Sequence, residues 1–180
     1  MLRSVRARVS PITCGRAGRA GTLRRIPMTV ILDKALLERH LRDTIPLARA
    51  MDLHVGDYDG YRLALYAPLA PNVNDKGCAF GGSMACMLTL AGWGLINLRL
   101  AEAGLDAEVY VQDASTVYLA PVWDQLIAEA YAPDNPWNVF LDTLRAKGKA
   151  RLSIESEIAG SEGGGVAARQ SARFVAKSLA

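Results

Sequence analysis

Two consecutive glycines, Gly81 and Gly82, stand directly before a long apolar stretch of the chain. If that stretch is a helix, its first N–H groups have no partner inside the helix, and glycines leave those groups open to approach. Such amides, together with the positive end of the helix dipole, can stabilise the negatively charged oxygen that forms when a nucleophile attacks an acyl carbonyl group. The alternative is that the glycines only let the chain turn tightly into the helix.

Two carboxylates are candidates to activate a water molecule near those amides. Asp113 ends an alternating, strand-like segment, and Asp75 lies six residues before Gly81. A carboxyl group buried beside an apolar tunnel has a raised pKa and can act as a general base toward water. Asp113 can equally be a solvated residue at a strand edge or turn. Asn74 either holds the water or the substrate carbonyl, or it orders its own turn.

The hydroxyl and thiol groups nearby offer weaker candidates. Ser83 and Thr89 could donate to water or substrate, or they could bond back to the preceding helical turn. The serine nucleophile of an α/β-hydrolase needs a histidine later in the chain, and none follows His54, so Ser83 is not such a nucleophile. Cys78 and Cys86 also lack a nearby histidine, and we expect them to be buried, reduced thiols.

The composition indicates one domain with a sizeable core. The chain has 180 residues, of which 51% are hydrophobic and 22% charged, and this balance argues against a disordered protein. Three cysteines are too few for a disulfide scaffold, and two histidines exclude a histidine-rich zinc site. The sequence also lacks a phosphate-binding glycine loop and a dinucleotide fingerprint, so we expect neither a metal nor a cofactor.

The basic charge is concentrated at the start of the chain. Residues 1–27 contain seven arginines and no acid, and removing them leaves 14 basic and 18 acidic residues, a net charge of −4. We therefore expect a disordered basic arm at 1–27, a single domain at 28–180, and no nucleic-acid-binding core. An over-extended start before Met28, an organellar targeting segment and an interaction tail all fit the arm. Without an apolar signal region, we expect the protein to be cytoplasmic unless the arm targets it to an organelle.

The central segment Cys78–Leu98 contains 21 residues without a charge. Its length permits a membrane span, but its four glycines, its polar residues and the strand-like segments on both sides favour a helix buried in a sheet. A first helix begins near Asp33 and ends at Pro46. The period changes to two from Met51 to Ala67, with a turn at Tyr58-Asp59-Gly60, which predicts one bent strand. Later patterns predict strands at 109–121, 126–131, 152–158 and 166–175, and a short helix at 137–144.

This order predicts an α+β domain in which an antiparallel sheet wraps a long apolar helix, and the residues around the glycines make a comparison possible. The chain resembles the YiiD C-terminal-domain group of thioesterases, which have the hotdog fold. The resemblance spans about Leu32 to Leu179. The segments that carry it are Asn72–Ser83, Trp93, Ile45–Leu47 with Met51, and Val117–Pro121.

The resemblance implies an acyl thioester hydrolase, with acyl-CoA or an acyl-carrier-protein thioester in a tunnel between two subunits. It implies a homodimer or a dimer of dimers, no membrane span, and coenzyme A only as part of the substrate. Asn74, Gly81, Gly82 and Asp113 are then the expected catalytic residues. The expected substrate-binding residues are Phe80, Ser83, Thr89 and Lys76, the lysine being one of several cations available for phosphates.

The motif departs from that of the better-understood phenylacetyl-CoA thioesterases of this fold at two positions. Phe80 replaces their histidine, and Thr89 stands where they have a catalytic carboxylate. The usual general base is therefore missing. A non-catalytic module that binds acyl thioesters is the alternative function.

Overall fold

The computed structural model describes residues 33–179. The expected basic arm at 1–27 and the first residues of the expected domain lie outside this described part. The helices are α1 (Lys34–Thr44), α2 (Pro46–Ala50), α3 (Gly81–Glu102) and α4 (Asp134–Lys147). The strands are β1 (His54–Tyr58), β2 (Arg62–Ala67), β3 (Ala107–Tyr118), β4 (Leu126–Tyr131), β5 (Lys149–Ala159) and β6 (Val166–Ser178).

The chain enters the fold through a capped helix. The Asp33 carboxylate accepts a hydrogen bond from the Leu36 N–H at 2.9 Å, as expected of a residue at a helix start. Pro46 ends α1, as predicted, and it also begins the short helix α2, because a proline is well tolerated at the first helical position.

The single bent strand predicted after Met51 is wrong, since this segment forms two antiparallel strands, β1 and β2. The turn between them depends on Asp59, whose carboxylate accepts hydrogen bonds from the N–H groups of Tyr61 and Arg62 at 2.9 and 2.7 Å. An aspartate that satisfies two turn amides reverses the chain instead of merely bending it.

All six strands form one antiparallel sheet in the order β1-β2-β4-β5-β6-β3. Burial alternates regularly along β5, in which Leu152, Ile154 and Ile158 are buried while Arg151 and Glu155 are exposed. The later strands and α4 confirm the predicted pattern. One sheet edge is β3, whose second half is largely exposed.

Helix α3 lies against the inner face of the sheet and contacts β2 to β6. By length and composition it could cross a membrane, but 72% of its most apolar window is buried inside the domain, as is common for a core helix. Gly94 permits close packing, because a Cβ there would lie 2.8 Å from a Leu63 methyl carbon. The predicted hotdog arrangement of a sheet wrapped around a long helix is confirmed.

Candidate active site

The loop that leads into α3 is fixed on both sides. The buried side chain of Asn72 donates hydrogen bonds to the carbonyls of Met51 and Pro68 at 2.9 and 2.7 Å. The Asn72 carbonyl accepts a hydrogen bond from the Phe80 N–H. Ala79, the residue before Phe80, donates its N–H to the Val122 carbonyl. The start of α3 is therefore held in place by groups from distant parts of the chain.

The first amides of α3 are available to a ligand. The first hydrogen bond inside the helix runs from the Met84 N–H to the Phe80 carbonyl at 3.0 Å. Within residues 33–179, no backbone or side-chain acceptor is bonded to the N–H groups of Gly81, Gly82 or Ser83, and Phe80 supplies no capping side chain. Three donors and the positive end of a 22-residue helix thus converge where an anion could bind.

A cavity of about 370 Å³ opens at the start of α3, with Gly81 among its wall residues. The side chains in its walls are apolar except for one phenol, which suits an acyl group better than a charged one. An adjoining cavity of about 350 Å³ shares two wall residues with it and extends toward Trp123. The walls of the first cavity are Ala79, Gly81, Met84, Tyr118, Leu119, Ala120 and Pro121.

Phe80 covers one side of the helix entrance. A Cβ on Gly82 would lie only 2.3 Å from Cε1 of the Phe80 ring, so the ring rests directly against the glycine backbone. The ring is 55% exposed. Of the predicted site residues, Phe80, Gly81, Gly82 and Ser83 thus lie at the start of α3, and Gly81 is the one among them that lines the cavity.

Asn74 and Lys76 lie in the preceding loop and do not line the cavity. The Asn74 Oδ1 accepts a hydrogen bond from the Lys76 N–H at 2.8 Å, while its Nδ2 donates to the Cys78 Sγ and the Ala79 carbonyl. Asn74 thus orders its own turn, which was one of the two alternatives. The Lys76 ammonium pairs with the exposed carboxylate of Asp75.

Asp113 lies on the outer face of the sheet, away from the amides. Alternation from Val109 and Val111 would have placed it on the inner face. A β-bulge leaves Gln112 unpaired, so Asp113 pairs with the outward-facing Arg173. The two side chains are 3.8 Å apart, and that of Asp113 is 59% exposed. Of the two alternatives for Asp113, the structure shows the solvated residue and not the buried carboxylate.

Thr89 belongs to a polar network that the sequence analysis missed. Its hydroxyl donates to the Oε1 of Gln170 at 3.0 Å, and the Gln170 Nε2 donates to the Thr116 Oγ1 at 2.9 Å and to the Ala85 carbonyl at 3.4 Å. Gln170 is only 2% exposed. Strand alternation could have revealed it, since Gln170 is in phase with the inward residues Ala168 and Ala172.

Among the described residues, neither the Cys86 thiol nor a cluster of possible metal ligands forms a second reactive site. Burial raises the pKa of the Cys86 thiol, which keeps it protonated and poorly nucleophilic. Among residues 33–179, no group of three or more histidine, cysteine, aspartate or glutamate side chains is placed to hold a metal ion.

Comparison with known proteins agrees with this geometry. The family model described as "Putative thioesterase (yiiD_Cterm)" matches residues 34–178. A protein of unknown function from Chlorobaculum tepidum is 30% identical, with a TM-score of 0.77, and the match covers 81% of this chain and 94% of that one. A protein from Shewanella oneidensis described as a "putative thioesterase" is 28% identical, with a TM-score of 0.73 and coverage of 82% and 97%. The helix-wrapping sheet, the open amides and the match along nearly the whole described domain together show that the chain belongs to the YiiD_C thioesterase family.

Proposed function

We propose that this protein hydrolyses acyl thioesters and that acyl-CoA is its substrate. The observation that carries the proposal is the set of unpartnered N–H groups of Gly81, Gly82 and Ser83 beside an apolar cavity. The acyl chain would occupy the cavity, with the thioester carbonyl oxygen directed at the amides. Membership of a thioesterase family supports this assignment.

The amides would act on the charge that develops during hydrolysis. The oxygen of a water molecule forms a bond to the thioester carbon, and the carbonyl oxygen becomes negative. When the intermediate collapses, the C–S bond breaks and the departing sulfur takes up the proton that water loses. Each well-placed donor to such an oxygen typically contributes about 3 to 4 kcal/mol.

Among the described residues, none of those that line the cavity carries a carboxylate or imidazole that could act as a general base. Asp113, the carboxylate nominated from the sequence, faces the other side of the sheet. We therefore assign the chain's main contribution to oxyanion stabilisation. The same observation favours a second candidate function, a module that binds acyl thioesters without hydrolysing them.

A panel of acyl-CoA esters of different chain lengths distinguishes the two functions. Release of free thiol supports the hydrolase, whereas binding without release at every chain length supports the binding module. Pantetheine and carrier-protein thioesters of the best acyl group would then identify the natural thiol carrier.

The role of the amides can be tested at one position. Proline suits the first position of a helix and the preceding Phe80 is extended, so Gly81→Pro should fold while lacking the N–H. Gly81→Ala is the matched control, because it keeps the N–H and its Cβ would meet the Tyr118 ring at an ordinary 3.4 Å. We expect kcat of the proline variant to be lower than that of the alanine variant by a factor of about 10² to 10³. Equal values would exclude the Gly81 amide from the reaction.

We also propose that two copies pair through the free edge of β3. The inward-facing residues Val111 and Tyr118 on this strand are 46% and 52% exposed, although their cross-strand partners in β6 are buried. A second copy paired with β3 would cover both side chains and would also cover the open side of the cavity that Tyr118 lines. Val111→Lys should shift the protein from dimer to monomer in sedimentation equilibrium, whereas Val139→Lys on the exposed side of α4 should not. A wild-type monomer would refute the pairing.

A further inference from the structure

Tyr118, the last residue of β3, contacts the first residue of α3 in two ways. Its hydroxyl donates a hydrogen bond to the Gly81 carbonyl oxygen at 3.0 Å. Its ring also packs against the same residue, with Cε1 lying 3.4 Å from the position that a Gly81 Cβ would take. The edge strand therefore holds one particular peptide group of the helix.

That peptide group contains an amide assigned to the oxyanion. The Gly81 carbonyl and the Gly82 N–H belong to one planar unit, so fixing the oxygen also fixes the direction of the N–H. Both flanking residues are glycines, so no Cβ restricts the orientation of this peptide, and the helix itself engages only its carbonyl, not the Gly82 N–H. A hydrogen bond to the carbonyl also polarises the peptide and strengthens the bond that its N–H can donate.

We infer that Tyr118 is a positioning residue for thioester hydrolysis, since its hydroxyl holds the Gly81–Gly82 peptide with the Gly82 N–H directed at the developing oxyanion. The inference rests on the proposed function. Tyr118 lines the cavity, and among the described residues its hydroxyl bonds to the backbone at the start of α3 and to no side chain of the core. A role in orienting the amide accounts for this bond better than a role in stability.

Tyr118→Phe removes the hydroxyl and keeps the ring in the cavity wall. We expect kcat to fall at least tenfold while KM stays within twofold, since only the transition state would lose an interaction. Tyr131→Phe is the matched control, because its hydroxyl bonds to Glu129 on the outer face of β4. An unchanged kcat for Tyr118→Phe, or a change confined to KM, would overturn the inference.

Nuclear magnetic resonance of the amide groups provides a measurement that does not need turnover. Loss of the hydrogen bond should shift the Gly82 amide ¹⁵N resonance in Tyr118→Phe far more than in Tyr131→Phe. An unmoved Gly82 resonance would refute the positioning role even in an active enzyme. If the wild-type protein hydrolyses no thioester, the proposed function fails, and the Gly82 resonance alone then shows whether Tyr118 orients this peptide.

Discussion

The contact between Phe80 and Gly82 predicts that Gly82→Ala lowers the free energy of unfolding when Phe80 is present and raises it when Phe80 is replaced by alanine. A Cβ at position 82 would lie 2.3 Å from the Phe80 ring, so Gly82→Ala must push the ring into solvent. The ring is 55% exposed, which leaves about 90 Å² to be lost from an aromatic side chain of about 200 Å². At about 25 cal/mol per Å² this costs about 2 kcal/mol.

Alanine also stabilises a helix relative to glycine, by about 0.5 to 1 kcal/mol. Gly82→Ala should therefore lower the free energy of unfolding by about 1 kcal/mol, equivalent to about 2 to 4 °C in Tm. In a Phe80→Ala background there is no ring to displace, so the same substitution should raise the free energy of unfolding by about 0.5 to 1 kcal/mol.

Urea unfolding followed by tryptophan fluorescence can measure the four proteins of this double-mutant cycle. The midpoint should fall for Gly82→Ala alone and rise when Phe80→Ala is already present. An effect of the same sign and size in both backgrounds would refute the steric argument. The Phe80→Ala single variant measures the change in the free energy of unfolding that comes from losing the ring alone.

Three further outcomes follow from the structure. Asp113→Asn should leave kcat within twofold in the thiol-release assay, and a tenfold loss would return Asp113 to the mechanism. Gln170→Leu should reduce the free energy of unfolding by about 1 to 3 kcal/mol, measured by urea, because it leaves the half-buried Thr89 hydroxyl without its acceptor. Burial lowers the pKa of His40, which stacks on Trp93, despite the opposing effect of a nearby aspartate. The unfolded chain then binds more protons below pH about 6.5, so stability should fall as the pH drops through that region, and His40→Phe should lessen the fall in the urea midpoint.

Much of the fold is predictable because its patterns are long and regular. The uncharged segment Cys78–Leu98 predicts α3, and strict alternation predicts β5 and β6. The turn at Tyr58-Asp59-Gly60 was recognised, but the complete chain reversal there was missed, because it depends on hydrogen bonds to Asp59 rather than on periodicity.

The site is less predictable than the fold, for reasons that are local. The glycines were found because they stand directly before the apolar helix. Asp113 was misplaced because one unpaired residue, Gln112, reverses the faces of β3, and a bulge leaves no clear mark in hydropathy. Tyr118 was missed because it is 37 residues from Gly81 in the sequence, and only the folded structure brings the two into contact.

The position of α3 in the chain has a consequence for biosynthesis. The helix leaves the ribosome before strands β3 to β6, which supply most of the surface that later covers it. During that interval its apolar sides have only β2 and the first helices as folded neighbours. The nascent protein therefore exposes apolar surface until the C-terminal strands emerge, and aggregation during synthesis is most favoured in that interval.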